Sequence, residues 1–128
     1  MNYLIDTHTL LWIVTGDKKL SDRARDLYLN TENLIFFSLA GIWEMAIKIS
    51  LNKLSLSEPL KDFIHTHVKG NDIKILNIEV KHILSLENLP YYHRDPFDRL
   101  LITQSMNENI PVLGSDKVFD LYPVKRIW

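Results

Sequence analysis

The chain contains no cysteine. Disulfides, zinc–thiolate centres and cysteine nucleophiles are therefore excluded, and the composition suits a reducing compartment, so a cytoplasmic location is expected. Long apolar runs are missing as well. No stretch approaches the about 18 residues that span a bilayer. The opening Met-Asn-Tyr-Leu-Ile-Asp has no cationic segment and meets a carboxylate at Asp6, which predicts neither a signal peptide nor a membrane partner. Glycine (4) and proline (5) are few and scattered, leaving no linker, repeat or low-complexity tract. A basic surplus is absent too, the formal net charge being −1. Nucleic-acid binders often carry such a surplus. If this chain takes a nucleic acid, its phosphate contacts are local or metal ions supply the positive charge.

What is present is core-forming material. Hydrophobic residues make up 46% of 128 positions, and a chain of this length buries roughly two-thirds of its unfolded surface. An ordered chain is therefore expected, in one domain over residues 1–128.

Strand and helix signals alternate from end to end. Tyr3-Leu4-Ile5 predicts a buried strand ending at Asp6, and Leu10, Leu11, Trp12 and Val14 a short helix stopped near Gly16. Ser21 is placed to cap a helix over 22–30. Asn33 to Phe37 predicts a second strand, after which Ser38 caps a helix over 39–51 whose Ile42, Trp43, Ala46 and Ile47 recur at helical period. Ser57-Glu58-Pro59 starts a helix running to about Lys69, followed by a short strand over 73–76 and a helix over 79–87. Asp95-Pro96-Phe97-Asp98 places an N-cap, a proline at the first helical position and an acid at the third, opening a helix to about Asn107. Pro111-Val112-Leu113 and Val124 to Ile127 predict the last strands, with a turn of helix over 116–119 between them. Such alternation argues for an α/β fold, a mostly parallel sheet with helices on both faces.

In an open parallel sheet, ligand sites gather beyond the carboxyl ends of the strands. Asp6 ends the first strand and Asp116 follows the strand at 111–113. Glu44 lies in the second turn of its helix, whose side chains lean back toward that edge, and Asp98 lies in the first turn of another. Four acids far apart in sequence can thus converge. Like charges within a few ångströms resist joint ionisation, and a divalent cation removes the conflict. All-oxygen ligands suit Mg²⁺ or Mn²⁺ rather than zinc, and such a cation makes a bound water nucleophilic and steadies phosphate charge, the chemistry of phosphodiester hydrolysis. Each acid also has a plainer reading. Asp6 and Asp116 are turn or capping candidates, Glu44 a member of a solvated helix face, Asp98 a partner of the helix dipole, and Asp95 first of all an N-cap.

The segments Leu4-Ile5-Asp6-Thr7-His8-Thr9-Leu10-Leu11-Trp12, Ser38-Leu39-Ala40-Gly41-Ile42-Trp43-Glu44-Met45-Ala46-Ile47-Lys48, His93-Arg94-Asp95-Pro96-Phe97-Asp98-Arg99-Leu100-Leu101 and Gly114-Ser115-Asp116-Lys117-Val118-Phe119 resemble, in order and spacing, the motifs of PIN domains of the VapC-like group. The resemblance runs from residue 3 to residue 128 and the third segment is its most specific part. It implies a single PIN domain, a three-layer α/β/α sandwich, with Mg²⁺- or Mn²⁺-dependent endoribonuclease activity, the toxin half of a toxin–antitoxin pair. On this chain its metal-site acids fall on Asp6, Glu44, Asp98 and Asp116, with Asp95 near enough to assist and hydroxyls beside the site at Ser38 and Ser115. It also implies a homodimer and a cognate VapB-like antitoxin that blocks the site. Two positions depart from the pattern. Gly41 stands where relatives often have Ser or Thr, which either loosens the helix carrying Glu44 or permits close packing, and Gly114 stands where many have a β-branched residue.

Lys48, Arg94 and Arg99 are candidates for RNA phosphate, with solvation or pairing to the acids as the plain alternative. Tyr91 and Tyr92 suit either base stacking or the packing of a rim, while Trp12, Trp43 and Trp128 are expected in the core or an interface rather than as RNA platforms. A structural role is expected for His8, and His65 and His67 are expected on different helix faces. Two other function classes compete. A phosphatase of the haloacid dehalogenase type needs a second Asp two residues after the first, where this chain has His8. A catalytically inactive PIN-like module that only binds proteins has no need of the four acids.

Overall fold

A computed structural model describes residues 1–128. Its elements run β1 (Asn2–Ile5), α1 (Thr7–Thr15), α2 (Asp22–Leu29), β2 (Leu34–Ser38), α3 (Leu39–Ser50), α4 (Leu60–Phe63), β3 (Lys74–Leu76), α5 (Val80–Leu84), α6 (Pro96–Glu108), β4 (Val112–Leu113) and β5 (Arg126–Ile127), with a 3₁₀ turn at Lys117–Leu121. The five strands form one parallel sheet in the order β3-β2-β1-β4-β5. Its direction of growth reverses between β1 and β4, the place in such sheets where a crevice opens beyond the strand ends.

Alternation along the strands makes two cores. Tyr3, Ile5, Ile35, Phe37, Leu113 and Ile127 point to one face and pack with Leu10, Met45, Phe63 and Val68. Leu4 and Val112 point to the other and pack with Leu101, Ile102, Phe119 and Tyr122. Because both faces are covered, the strands are apolar at nearly every position. The result is the expected three-layer α/β/α arrangement, and no helix is long and apolar enough to cross a membrane.

Caps fix where the helices start. Asp6, Ser21, Ser38 and Asp95 each accept a backbone N–H from the first turn that follows, which supplies partners for amides that no helix bond can satisfy. The predicted helix to Lys69 does not continue as one form. After α4 the chain widens into a π-helical turn at Ile64–Val68 and closes in a 3₁₀ turn at Lys69–Asn71. Phe63 and Val68 are both buried. They stand five apart, a spacing that an α-helix rotates off one face and a widened turn brings back. The helix expected over 79–87 likewise ends early, at Leu84.

Gly41 shows which of its two readings holds. A Cβ there would run into the ring of Phe37. Phe37 is fully buried, so the ring has nowhere to move and α3 lies against β2 only because this position lacks a side chain. Gly41→Ala is expected to destabilise the protein by about 1–3 kcal/mol through overpacking, although alanine gains about 1 kcal/mol of helix propensity. Urea titration of both proteins checks this, and an alanine variant as stable as the parent would contradict it.

Candidate functional site

Asp6, Thr7, Ser38, Glu44, Phe97 and Asp98 line one cleft at the carboxyl edge of the sheet, floored by Ile5, Phe37 and Leu101. Three of the four sequence-predicted acids are therefore brought together here. Asp116 stands on the adjoining side, where His93, Asp98 and Asp116 place one ligand-capable atom each within 4.8 Å of one another. Asp98 belongs to both groups.

Each acid is held by local structure. The Asp6 Oδ1 accepts the Thr9 amide at 2.8 Å and caps α1. Thr9 in turn donates its hydroxyl to the Leu113 carbonyl at 3.1 Å, tying the start of α1 to the end of β4. The other Asp6 oxygen lies 3.2 Å from where a Cβ of residue 114 would stand, so Gly114 leaves the carboxylate room. Glu44 is buried. One of its oxygens accepts the Thr7 hydroxyl at 2.7 Å and the other pairs with Lys48 at 3.0 Å. Asp95 accepts the Phe97 and Asp98 amides at 2.8 and 3.1 Å, which starts α6 and places Asp98 in its first turn. Asp116 caps the last 3₁₀ turn through Oδ1 at 3.0 Å and meets His93 Nε2 through Oδ2 at 2.8 Å.

The capping reading holds at Asp6 and Asp116, each with one oxygen engaged by a backbone amide and the other free of it. The plain reading of Glu44 does not hold, since its side chain is turned from solvent into the cleft. Ser38 caps α3 and gives its hydroxyl proton to Gln104, which reaches on to the Asn77 carbonyl. Ser115 lies half-buried between β4 and Asp116.

The electrostatics is that of crowded negative charge. Burial pushes the Asp98 carboxyl up to about 7, and the charges of Asp95, Glu44 and Asp6 add to this against an opposing His93. Burial also raises Asp6, with the Thr9 contacts working the other way. At Asp116 burial is outweighed by the His93 and Val118 hydrogen bonds and the Arg126 charge, and its carboxyl falls below the usual range.

Among the basic candidates, Lys48 faces the cleft through Glu44 and Arg94 is exposed. Arg99 is corrected. It is buried and donates to the carbonyls of Pro90, Leu89 and His93 at 2.9, 3.1 and 3.4 Å, with Tyr91 stacked on its guanidinium at 3.7 Å. Its donors face the loop before α6, not solvent, so it clamps that loop and does not reach for phosphate. Tyr91 lies on the Arg99 guanidinium and Tyr92 meets Tyr122 edge-on, and both rings keep an exposed face at the rim. Trp43 does not enter the core, being more than half exposed at 56%, and meets Phe97 edge-on beside the cleft. His8 is exposed and stacks on Trp12, outside the cleft. Thr7 and His93 are contacts that sequence reasoning did not single out. Both sit inside the quoted motifs, next to or near an acid, and nothing in spacing alone assigns them a partner.

A second trio, Glu79, His82 and Glu108, also brings ligand-capable atoms together. Lys81 already supplies a cation there, 3.2 Å from Glu108, and His82 is engaged by the Glu79 amide.

The PIN domain family matches residues 3–125. No curated protein sequence matches the chain significantly. Among solved structures, VapBC2 from Rickettsia felis bound to a DNA fragment from their promoter superposes with a TM-score of 0.72 at 17% identity, covering 100% of this chain and 99% of that one. FitAB bound to IR36 DNA fragment gives 0.68 at 15% identity, over 98% and 93% of the two chains. At these identities the likeness is one of fold.

A proton held by Asp98 in the folded protein is lost more readily in the unfolded chain. Its raised carboxyl therefore contributes stability that is fully present below the ordinary carboxylate range near 3.8 and is lost as pH rises through about 7. In metal-free protein at pH 8, Asp98→Asn is expected to raise the melting temperature by roughly 3 °C or more, with a smaller gain at pH 5. Thermal melts in EDTA measure both, and a variant less stable than the parent at pH 8 would refute the strain.

Proposed function

The chain belongs to the PIN-domain family, and from that premise we propose that it is a metal-dependent endoribonuclease of the VapC-like toxin type, which hydrolyses RNA phosphodiester bonds. The observation that carries this reading is the cleft itself, where Asp6, Glu44 and Asp98 share one half-buried space and Asp98 is pushed up to about 7. Such a set is strained without a counter-ion and is built of hard oxygen donors, which fits Mg²⁺ or Mn²⁺. Asp6, Glu44, Asp98 and Asp116 would hold the cation, with Asp95, Ser38 and Ser115 in support. Bound there, it would acidify a water and offset charge on the phosphate.

The remaining work falls to the chain. Thr7 and Lys48 fix the two Glu44 oxygens, and the Thr9 amide fixes Asp6, so the donors do not have to be reorganised when charge develops. Phe37, Phe97 and Leu101 supply the apolar part of the cleft lining. Arg94, exposed in the loop before α6, and Lys48, at the cleft, are the cations placed for the phosphate backbone. A homodimer and a cognate VapB-like antitoxin that covers the cleft complete the proposal, in one domain over residues 1–128.

Purified, antitoxin-free protein incubated with total bacterial RNA and Mn²⁺ should produce discrete new RNA ends. Those ends should vanish in EDTA and fall by roughly 10²-fold or more in Asp6→Asn. Cleavage that survives both controls would point to a contaminant or to metal-free chemistry. A folded protein with neither cleavage nor Mn²⁺ binding would leave only the protein-binding module.

A further inference from the structure

We propose that His93 is a positioning residue of the acidic cluster, whose imidazole Nε2–H holds Asp116 in the orientation needed for cation binding. This rests on the metal-site reading above. The contact is short, 2.8 Å from Nε2 to the Asp116 Oδ2. An ionised carboxylate only accepts, so the proton between them belongs to Nε2.

The ring is held more firmly than a surface contact requires. It is 8% exposed, stacked on Tyr122 at 5.6 Å and met edge-on by Phe119 at 4.8 Å. The His93 backbone amide donates to the Tyr122 hydroxyl at 2.7 Å, and that hydroxyl donates to the Pro90 carbonyl at 3.1 Å. Arg99 closes the same loop from beneath by donating to Leu89, Pro90 and His93 carbonyls. Four side chains, Arg99, Tyr122, Phe119 and His93 itself, thus fix one N–H donor opposite one carboxylate oxygen.

A purely apolar role explains the ring poorly. Its Nδ1 is buried with no hydrogen-bond partner, and leaving a buried polar atom unpaired is unfavourable. Phenylalanine would fill the same aromatic pocket without that cost. What phenylalanine lacks is the Nε2–H. With Oδ1 taken by the Val118 amide and Oδ2 by His93, both Asp116 oxygens are oriented and each keeps a lone pair for a cation. Partners that orient a ligating carboxylate in this way commonly change metal affinity by about 10–100-fold.

The test uses the full chain, free of antitoxin, and Mn²⁺ as the probe. Calorimetric titration should show His93→Phe binding Mn²⁺ about tenfold or more weakly than the parent. His93→Gln, whose amide nitrogen falls near the Nε2 position, should return to within about threefold. Equal Mn²⁺ affinity in the parent and His93→Phe would overturn the proposal, as would Gln and Phe variants that are equally impaired. Should His93→Phe fail to fold, side-chain ¹⁵N NMR of the parent decides. A proton on Nε2 whose resonance moves in Asp116→Asn supports the role, and a proton on Nδ1 alone, or no response to Asp116→Asn, rejects it. If the parent itself binds no Mn²⁺, the metal-site reading fails first and this inference falls with it, a result distinct from intact parent binding that His93→Phe leaves unchanged.

Discussion

Bringing carboxylates together in a half-buried cleft is unfavourable, and most of what surrounds this cleft serves to keep them there. Lost hydration, and after it Coulomb repulsion, favours the protonated acid, which is why Asp98 is pushed up to about 7 and Asp6 upward as well. A side chain free to rotate would swing out to water. Asp6 is pinned by the first turn of α1 and Glu44 by Thr7 and Lys48, while Asp95 caps the start of the helix that carries Asp98. The strain is thus carried by the helix starts, and those starts are in turn fixed by the two cores.

The same economy explains why capping and functional readings could not be told apart in the sequence. A carboxylate that caps a helix engages one oxygen with an amide and leaves a second oriented. At Asp6 and Asp116 the second oxygen is turned toward Gly114 and His93 respectively. A sequence shows the acid before a helix and nothing of the other oxygen. Glu44 was the opposite case. Its flanking residues, Trp43 and Met45, allowed a solvated face, and only the packing of α3 on Phe37, permitted by Gly41, turns it inward.

The fold class was legible because both faces of the sheet are covered, so apolar strands and amphipathic helices alternate plainly along the chain. The strand order was not, since nothing local records which strand lies beside β1. The break of the predicted 57–69 helix into α, π and 3₁₀ turns was hidden for a related reason. It follows from where Phe63 and Val68 find the core, a tertiary demand that overrides local propensity. Arg99 went astray for a similar reason. An arginine beside an acidic motif suggests phosphate. Yet the loop from Leu86 to His93 exposes carbonyls that need donors, and Arg99 is the one group long enough and rich enough in N–H to serve several of them.

That loop joins the two halves of the candidate site. It carries His93 toward Asp116 on one side and leads into Asp95 and Asp98 on the other. Arg99, one residue after Asp98, fastens it from within the helix it precedes. A change in Arg99 therefore reaches both acids without either being touched, and its charge is secondary to its geometry. A lysine there would keep the charge but has a single nitrogen, where the guanidinium spreads several fixed donors. The cluster is in this sense built from the sheet edge on one side, through Asp6 and Glu44, and from a clamped loop on the other, through His93 and Asp98. Its integrity depends on the loop's backbone carbonyls as much as on the acids themselves.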